Sequence, residues 1–236
     1  MKQLNKSKRI LYHLYPGILI TLGFVLITPI MLRNGFPPQL SMMVCIVFVV
    51  VPVFIFHLIQ AQKGENRTKI IQLNGFREKL PTGKLILNSF GLLVFAFLMW
   101  GLFQPIDLFL AEHVFFWLPD WYTVQDFEGY SIGIIRITLI ANLILNGILA
   151  PVIEEFYFRG YLLPRMEVWG KYAFVVNAVL FSLYHLWQPY IYLTLIAALL
   201  PMTYLVWKTK DLRLAILTHC LLNLVGAMLS FGLLLY

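Results

Sequence analysis

Three short stretches carry polar groups that are expensive where they stand: Glu154-Glu155-Phe-Tyr-Phe-Arg159, Phe181-Ser-Leu-Tyr-His185 and His219-Cys-Leu-Leu-Asn223. Leucines, valines and phenylalanines surround each of them. An ionisable side chain at the centre of a membrane span costs at least a few kcal/mol. Such groups are kept there when they pair, line a wet cavity or do chemistry. A glutamate with two histidines is a familiar set for activating water.

Spacing divides the labour within the glutamate doublet. Residues four apart share a helix face, so Glu155 and Arg159 can pair within one helix, and His219 and Asn223 look the same way. Glu154 is turned about 100° from Glu155 and faces elsewhere. Glu155 with Arg159 therefore reads as a structural ion pair, and Glu154 as the group aimed at a site. Alone, His185 or His219 would bridge helices by a hydrogen bond, and Asn223 would be polar glue of the kind membrane helices use. Phe181 reads as helix packing. Glu154 resists such a reading, because Arg159 cannot easily serve two carboxylates, and an unpaired buried carboxylate is costly.

These groups need helices to hold them. The chain has 236 residues, 60% hydrophobic, 16% aromatic and only 12% charged, with mean hydropathy +0.80. A soluble domain carries about 25% charged residues. The composition predicts an all-α, polytopic transmembrane bundle forming a single domain over 1–236, its motif-bearing core at about 131–236. A span needs about 20 apolar residues. Candidates are Leu14–Leu32, Leu40–Ile59, Leu85–Phe103, Ile132–Ile153 running on to about Leu163, Tyr172–Trp187, Ile191–Trp207 and Leu212–Leu235. That makes seven spans. Ile106–Trp121, interrupted by Glu112, His113 and Pro119, reads as an interfacial or re-entrant piece rather than an eighth. The basic N-terminus and the apolar run from Leu14 read as an uncleaved first span, since no small-x-small cleavage site follows. Cys45 and Cys220 lie in apolar runs and read as packed thiols. His13 and His57 read as interfacial, Asn142 and Asn146 as interhelical hydrogen bonders, and Glu112-His113 as a solvated outer face.

Fifteen of the 18 lysines and arginines fall in four segments: the N-terminus (Lys2, Lys6, Lys8, Arg9), the loop from Gln60 to Lys84, the pair Arg165 and Lys171, and Lys208, Lys210 and Arg213. Seven spans put all four on one side, which the positive-inside rule makes the cytoplasm. Gln104–Ser131 has no Lys or Arg but has Asp107, Glu112, Asp120, Asp126 and Glu128, so it is expected outside, with Trp117, Trp121, Tyr122 and Tyr130 as an aromatic belt. The positive charge thus reports topology in the plasma membrane, with lipid as the partner and no nucleic acid. At about 1.5 Å per residue, Glu154 lies roughly 16 Å from the cytoplasmic face, His185 roughly 21 Å, and His219 and Asn223 roughly 9 and 15 Å. Three helices bring polar groups to overlapping depths.

The ordered set Glu-Glu-x-x-x-Arg, Phe-x-x-x-His and His-x-x-x-Asn on successive hydrophobic helices resembles the CPBP intramembrane protease family. That family includes the type II CAAX prenyl endopeptidases and bacterial proteins linked to bacteriocin processing or self-immunity. The resemblance covers about Pro151 to Val225; residues before 130 carry no motif. It implies that Glu154 activates the attacking water, that His185 assists, that His219 and Asn223 stabilise the oxyanion, and that Glu155 and Arg159 support them. A base, a helper and polarising donors suffice for amide hydrolysis without a covalent intermediate. The family has also been called metalloproteases, and Glu154, His185 and His219 could supply three zinc ligands. Because no HExxH is present and Asn is a poor zinc ligand, the metal-free glutamate mechanism, without a cofactor, is the preferred reading. The expected function is an intramembrane endopeptidase acting on a membrane-associated or lipidated peptide or protein. The alternatives are a non-catalytic immunity or binding protein on the same scaffold, a proton-coupled transporter using the same groups as a relay, and a polar network that only holds helices together.

Overall fold

The computed structural model of the chain describes residues 3–122, 127 and 129–234. Lys2, Asp126, Glu128 and Leu235, which entered the charge and span readings, lie outside the described residues. The described residues form helices and no sheet. Six helices are long and apolar enough to cross a membrane: α1 (Lys6–Arg33), α2 (Pro38–Gly64), α3 (Thr82–Val114), α4 (Ile132–Arg165), α6 (Pro189–Thr209) and the greater part of α7 (Leu212–Leu234). The seventh, α5 (Ala173–Tyr184), has 12 residues. At about 1.5 Å per residue it is roughly 18 Å long, short of a hydrocarbon core of about 30 Å. With α5 the bundle has the seven hydrophobic helices expected.

Two of the readings change. Ile106–Trp121 is not a separate piece as far as Val114: α3 runs on through it, and Asp107, expected in an outer segment, is buried in that helix with both carboxylate oxygens 2.7 Å from the Thr194 hydroxyl. His13, expected at the interface, is fully buried, its ring bonded to the Arg9 carbonyl and to Asn177 of α5. His57 sits between two phenols, Tyr15 at 2.7 Å and Tyr157 at 3.1 Å. Cys45 and Cys220 are free thiols, as read.

Prolines shape the helices, and three of them release carbonyls that other elements capture. A proline has no N–H to give the carbonyl one helical turn back. In membranes neighbouring groups must take that carbonyl over. Pro16 cannot bond the Tyr12 carbonyl, and the Tyr157 hydroxyl donates to it at 2.9 Å. Pro164 cannot bond the Gly160 carbonyl, and the Gly75 N–H does so at 3.0 Å. Pro151 follows a π-helical turn, Leu145–Leu149, in which bonds reach five residues back. The carbonyl it leaves open in that register, Asn146, is taken by Asn223. These links tie α4 to α1, to the 65–81 loop and to α7.

The basic segments meet at one end of the bundle. Arg165, buried, bonds Glu65 at 2.8 Å and the Leu73 and Tyr161 carbonyls. The 65–81 loop is clasped to the α6–α7 turn, where Asp211 accepts from Leu80 N–H and Arg213 while Arg213 donates to the Leu80 carbonyl. Burial alone would raise the Asp211 carboxyl, but the hydrogen bonds from Arg213 and the Leu80 amide outweigh it and hold the group below its usual range. A cavity of about 500 Å³ opens at this end, lined among others by Phe76, Arg77, Met166, Trp207 and Lys210. None of the residues of the three motifs lines it. At the other end, Trp121 and Tyr122 pack on Phe24 of α1, and the Tyr122 hydroxyl reaches the Leu186 carbonyl in the α5–α6 turn at 3.2 Å.

Candidate active site

The glutamate doublet lies on a six-residue α-helical stretch, Ala150–Glu155, between two π-helical ones, Leu145–Leu149 and Phe156–Leu162. π turns inside helices are frequent at functional sites. Here they set the rotation of the doublet against three neighbouring helices.

Glu155 is the inward, fully buried member. One oxygen, Oε1, accepts from Arg159 Nη1 at 3.1 Å and from His219 Nδ1 at 2.8 Å. The i,i+4 pair expected from spacing is present, and His219 joins it from α7. Arg159 is also fully buried. Its Nη2 reaches the Thr203 hydroxyl of α6 at 3.3 Å, and its guanidinium lies 3.8 Å over the Phe181 ring of α5. An ionised carboxylate only accepts, so His219 donates from Nδ1, and its Nε2 is the nitrogen left for other work.

Glu154 faces elsewhere, as its rotation from Glu155 requires. Among the described residues, its hydrogen-bond donor is the Tyr184 hydroxyl, 3.1 Å from Oε1. The buried Glu154 carboxylate nonetheless lies within electrostatic reach of His219 and Arg159.

His185 stands just past the last residue of α5, at its C-cap, rather than inside a helix. Its Nδ1 lies 2.9 Å from the Phe181 carbonyl. A carbonyl only accepts, so this ring too donates from Nδ1 and keeps Nε2 free. The Phe181 ring lies between the two histidines, 4.9 Å from the His185 ring and 6.1 Å from the His219 ring. Phe181 was expected only to pack; it is the common wall of both imidazoles and the floor under Arg159.

Asn223, one turn beyond His219, donates to the Asn146 carbonyl at 2.8 Å. The backbones approach closely here: a Cβ on Gly147 would lie 2.7 Å from Leu224 Cδ2. Asn146 thus acts through its carbonyl, and the Asn142 side-chain oxygen is buried without a partner among the described residues. The structure brings Glu154, Glu155, Arg159, His219 and Asn223 to the α4–α7 contact, with His185 joined through Phe181.

Among the described residues no three His, Cys, Asp or Glu side chains are grouped so as to hold a metal ion. His219 gives Nδ1–H to Glu155, the kind of carboxylate partner a metal-bound histidine keeps on its other nitrogen, and Glu154 turns one oxygen to Tyr184. Sequence reasoning passed over Tyr184, Thr203 and the role of Phe181. Tyr184 stands inside the second motif, and a phenol beside its histidine in so apolar a helix was the available signal.

Ionisable groups from separate helices thus converge inside a bundle of membrane-length helices. Residues 136–225 match the family model described as Rce1-like, the type II CAAX prenyl endopeptidases. The match contains all three motifs. It supports a CPBP family intramembrane protease, as the sequence resemblance implied, and indicates a membrane peptidase. No curated protein and no solved structure matches the chain.

Proposed function

We propose that the chain is an integral membrane endopeptidase of the plasma membrane that hydrolyses a peptide bond of a membrane-associated or lipidated peptide by glutamate-activated water. The observation that carries this reading is the unequal use of the doublet. Glu155 is consumed by Arg159 and His219, while Glu154 keeps a carboxylate held by one neutral phenol.

Glu154 takes a proton from water as the oxygen attacks the scissile carbonyl carbon. The carbonyl becomes an oxyanion, stabilised by Asn223 and by His219 through Nε2–H when that ring is protonated. His185 assists through Nε2. The C–N bond then breaks, and the proton held by Glu154 leaves with the amine. No cofactor is needed for these steps to balance.

Glu154→Gln tests it. The amide keeps the size and still accepts from Tyr184, but takes no proton. In detergent the variant is expected to melt near wild type and to lose turnover by the 10²–10⁴-fold that loss of a general base typically costs. A fluorogenic peptide with a farnesylated C-terminal CAAX box is the probe. Wild-type turnover in this variant would end the general-base reading.

A further inference from the structure

We propose that Tyr184 is the positioning residue of the catalytic carboxylate, holding Glu154 so that Oε2 meets water in one orientation. The inference rests on the general-base reading of Glu154. Neither the three-motif pattern nor the family match assigns this position a role.

The phenol is fully buried and is among the largest side chains with no exposure. A buried hydroxyl needs a partner, and its donor bond goes to Glu154 Oε1 at 3.1 Å. The ring cannot swing to find another. Phe158 and Trp187 stand 4.9 and 5.1 Å from it, and Phe54 and Phe181 close the remaining sides. Its backbone is fixed as well. Gly17 of α1 packs so tightly against it that a Cβ there would clash with the Tyr184 carbonyl oxygen. That same carbonyl accepts from Leu186 N–H at 2.8 Å, closing the turn after His185. A rigid ring on a clamped backbone aims one donor at one oxygen of the base. The carboxylate rotor is thereby stopped, and Oε2 is left as the proton acceptor. The next residue is His185, so the clamp that orients the base also sets the height of the assisting imidazole. The N-terminal helix, which has no motif, enters the site through this contact.

A double-mutant cycle on the full-length protein in detergent reads the contact without any substrate. Wild type, Tyr184→Phe, Glu154→Met and the double variant are melted. Phenylalanine keeps the ring packing and removes only the hydroxyl. Coupled melting shifts are expected, the double variant losing less than the two singles together; additive shifts would overturn the proposal. Turnover of the farnesylated probe then separates positioning from packing. Tyr184→Phe is expected to lower kcat about 10-fold or more with KM unchanged, because a small misplacement of a reacting group is costly. An unchanged kcat, or a raised KM with kcat intact, would overturn it. Glu154→Gln reports separately on the reading beneath: if that variant cleaves as wild type does, the general-base role falls, while the melting cycle still decides whether Tyr184 holds Glu154.

Discussion

At the scale of single residues, the doublet is a case of one pair of identical side chains given different partners by a rotation of about 100°. Spacing alone exposed that division, since Arg159 is one turn from Glu155 and not from Glu154. Spacing could not show that His219 joins the pair, because a contact between residues 64 apart in sequence depends on how α7 packs on α4. Nor could it show Arg159 lying over Phe181. Both additions raise the cost of losing Glu155. Glu155→Gln would leave Arg159 without its counter-charge in a site of no exposure, and His219 with a weaker acceptor. Breaking a buried pair by removing one partner costs about 3–5 kcal/mol. For a chain of this size that corresponds to a fall in melting temperature of order 10 °C, with activity falling alongside. Thermal melts in detergent, run beside Glu154→Gln, check the contrast. Glu155→Gln melting as wild type while losing all turnover would mean that the two carboxylates have exchanged roles.

At the scale of elements, hydropathy located the helices well and their ends poorly. Asp107, Glu112 and His113 looked like the end of a span, yet α3 continues through them, because Thr194 satisfies Asp107 and the other two reach the outer surface. The second motif sat on an apolar run of ordinary length, yet α5 stops at Tyr184 and the turn carries His185. Neither outcome is written in local composition. What is written there, and is easily passed over, is the placing of Pro151 three residues before Glu154. It abolishes a backbone donor and leaves the Asn146 carbonyl for Asn223. Pro151→Ala therefore makes a specific trade. It removes a residue costing about 3 kcal/mol inside a helix and restores an N–H that competes for that carbonyl. The variant is expected to melt at or above wild type, while Asn223 loses its anchor and kcat falls by up to the roughly 10²-fold that one oxyanion donor is worth. Full activity in a more stable variant would show that Asn223 does not depend on this carbonyl.

At the scale of the whole molecule, the charge asymmetry read from sequence becomes a physical assembly. The N-terminal segment reaches Pro164 through Gln3, the 65–81 loop reaches Gly160, Arg165, Lys210 and Asp211, and these contacts gather the basic segments at one end. Glu154, deeper in α4 than this end, lies on the side of the bundle from which α5 rises to place Tyr184 and His185. The opposite end, with Trp121 and Tyr122 folded onto α1 and the α5–α6 turn, carries the segment without Lys or Arg. By the positive-inside rule the basic end is expected to face the cytoplasm. The length of α5 makes this a sharp test of topology. Though too short to cross alone, it pairs with α6 as an antiparallel hairpin, so α6 returns to the basic end at Lys208 and α7 leaves it again. An N-terminal reporter is then expected to read as cytoplasmic and one fused after Tyr236 as external. A site-specific label at Lys69, in the loop clasped to Asp211, should be protected in intact cells and modified once they are opened. If the C-terminal reporter reads as cytoplasmic while Lys69 stays protected, α7 does not cross from the basic end and the count of seven spans falls to an even number.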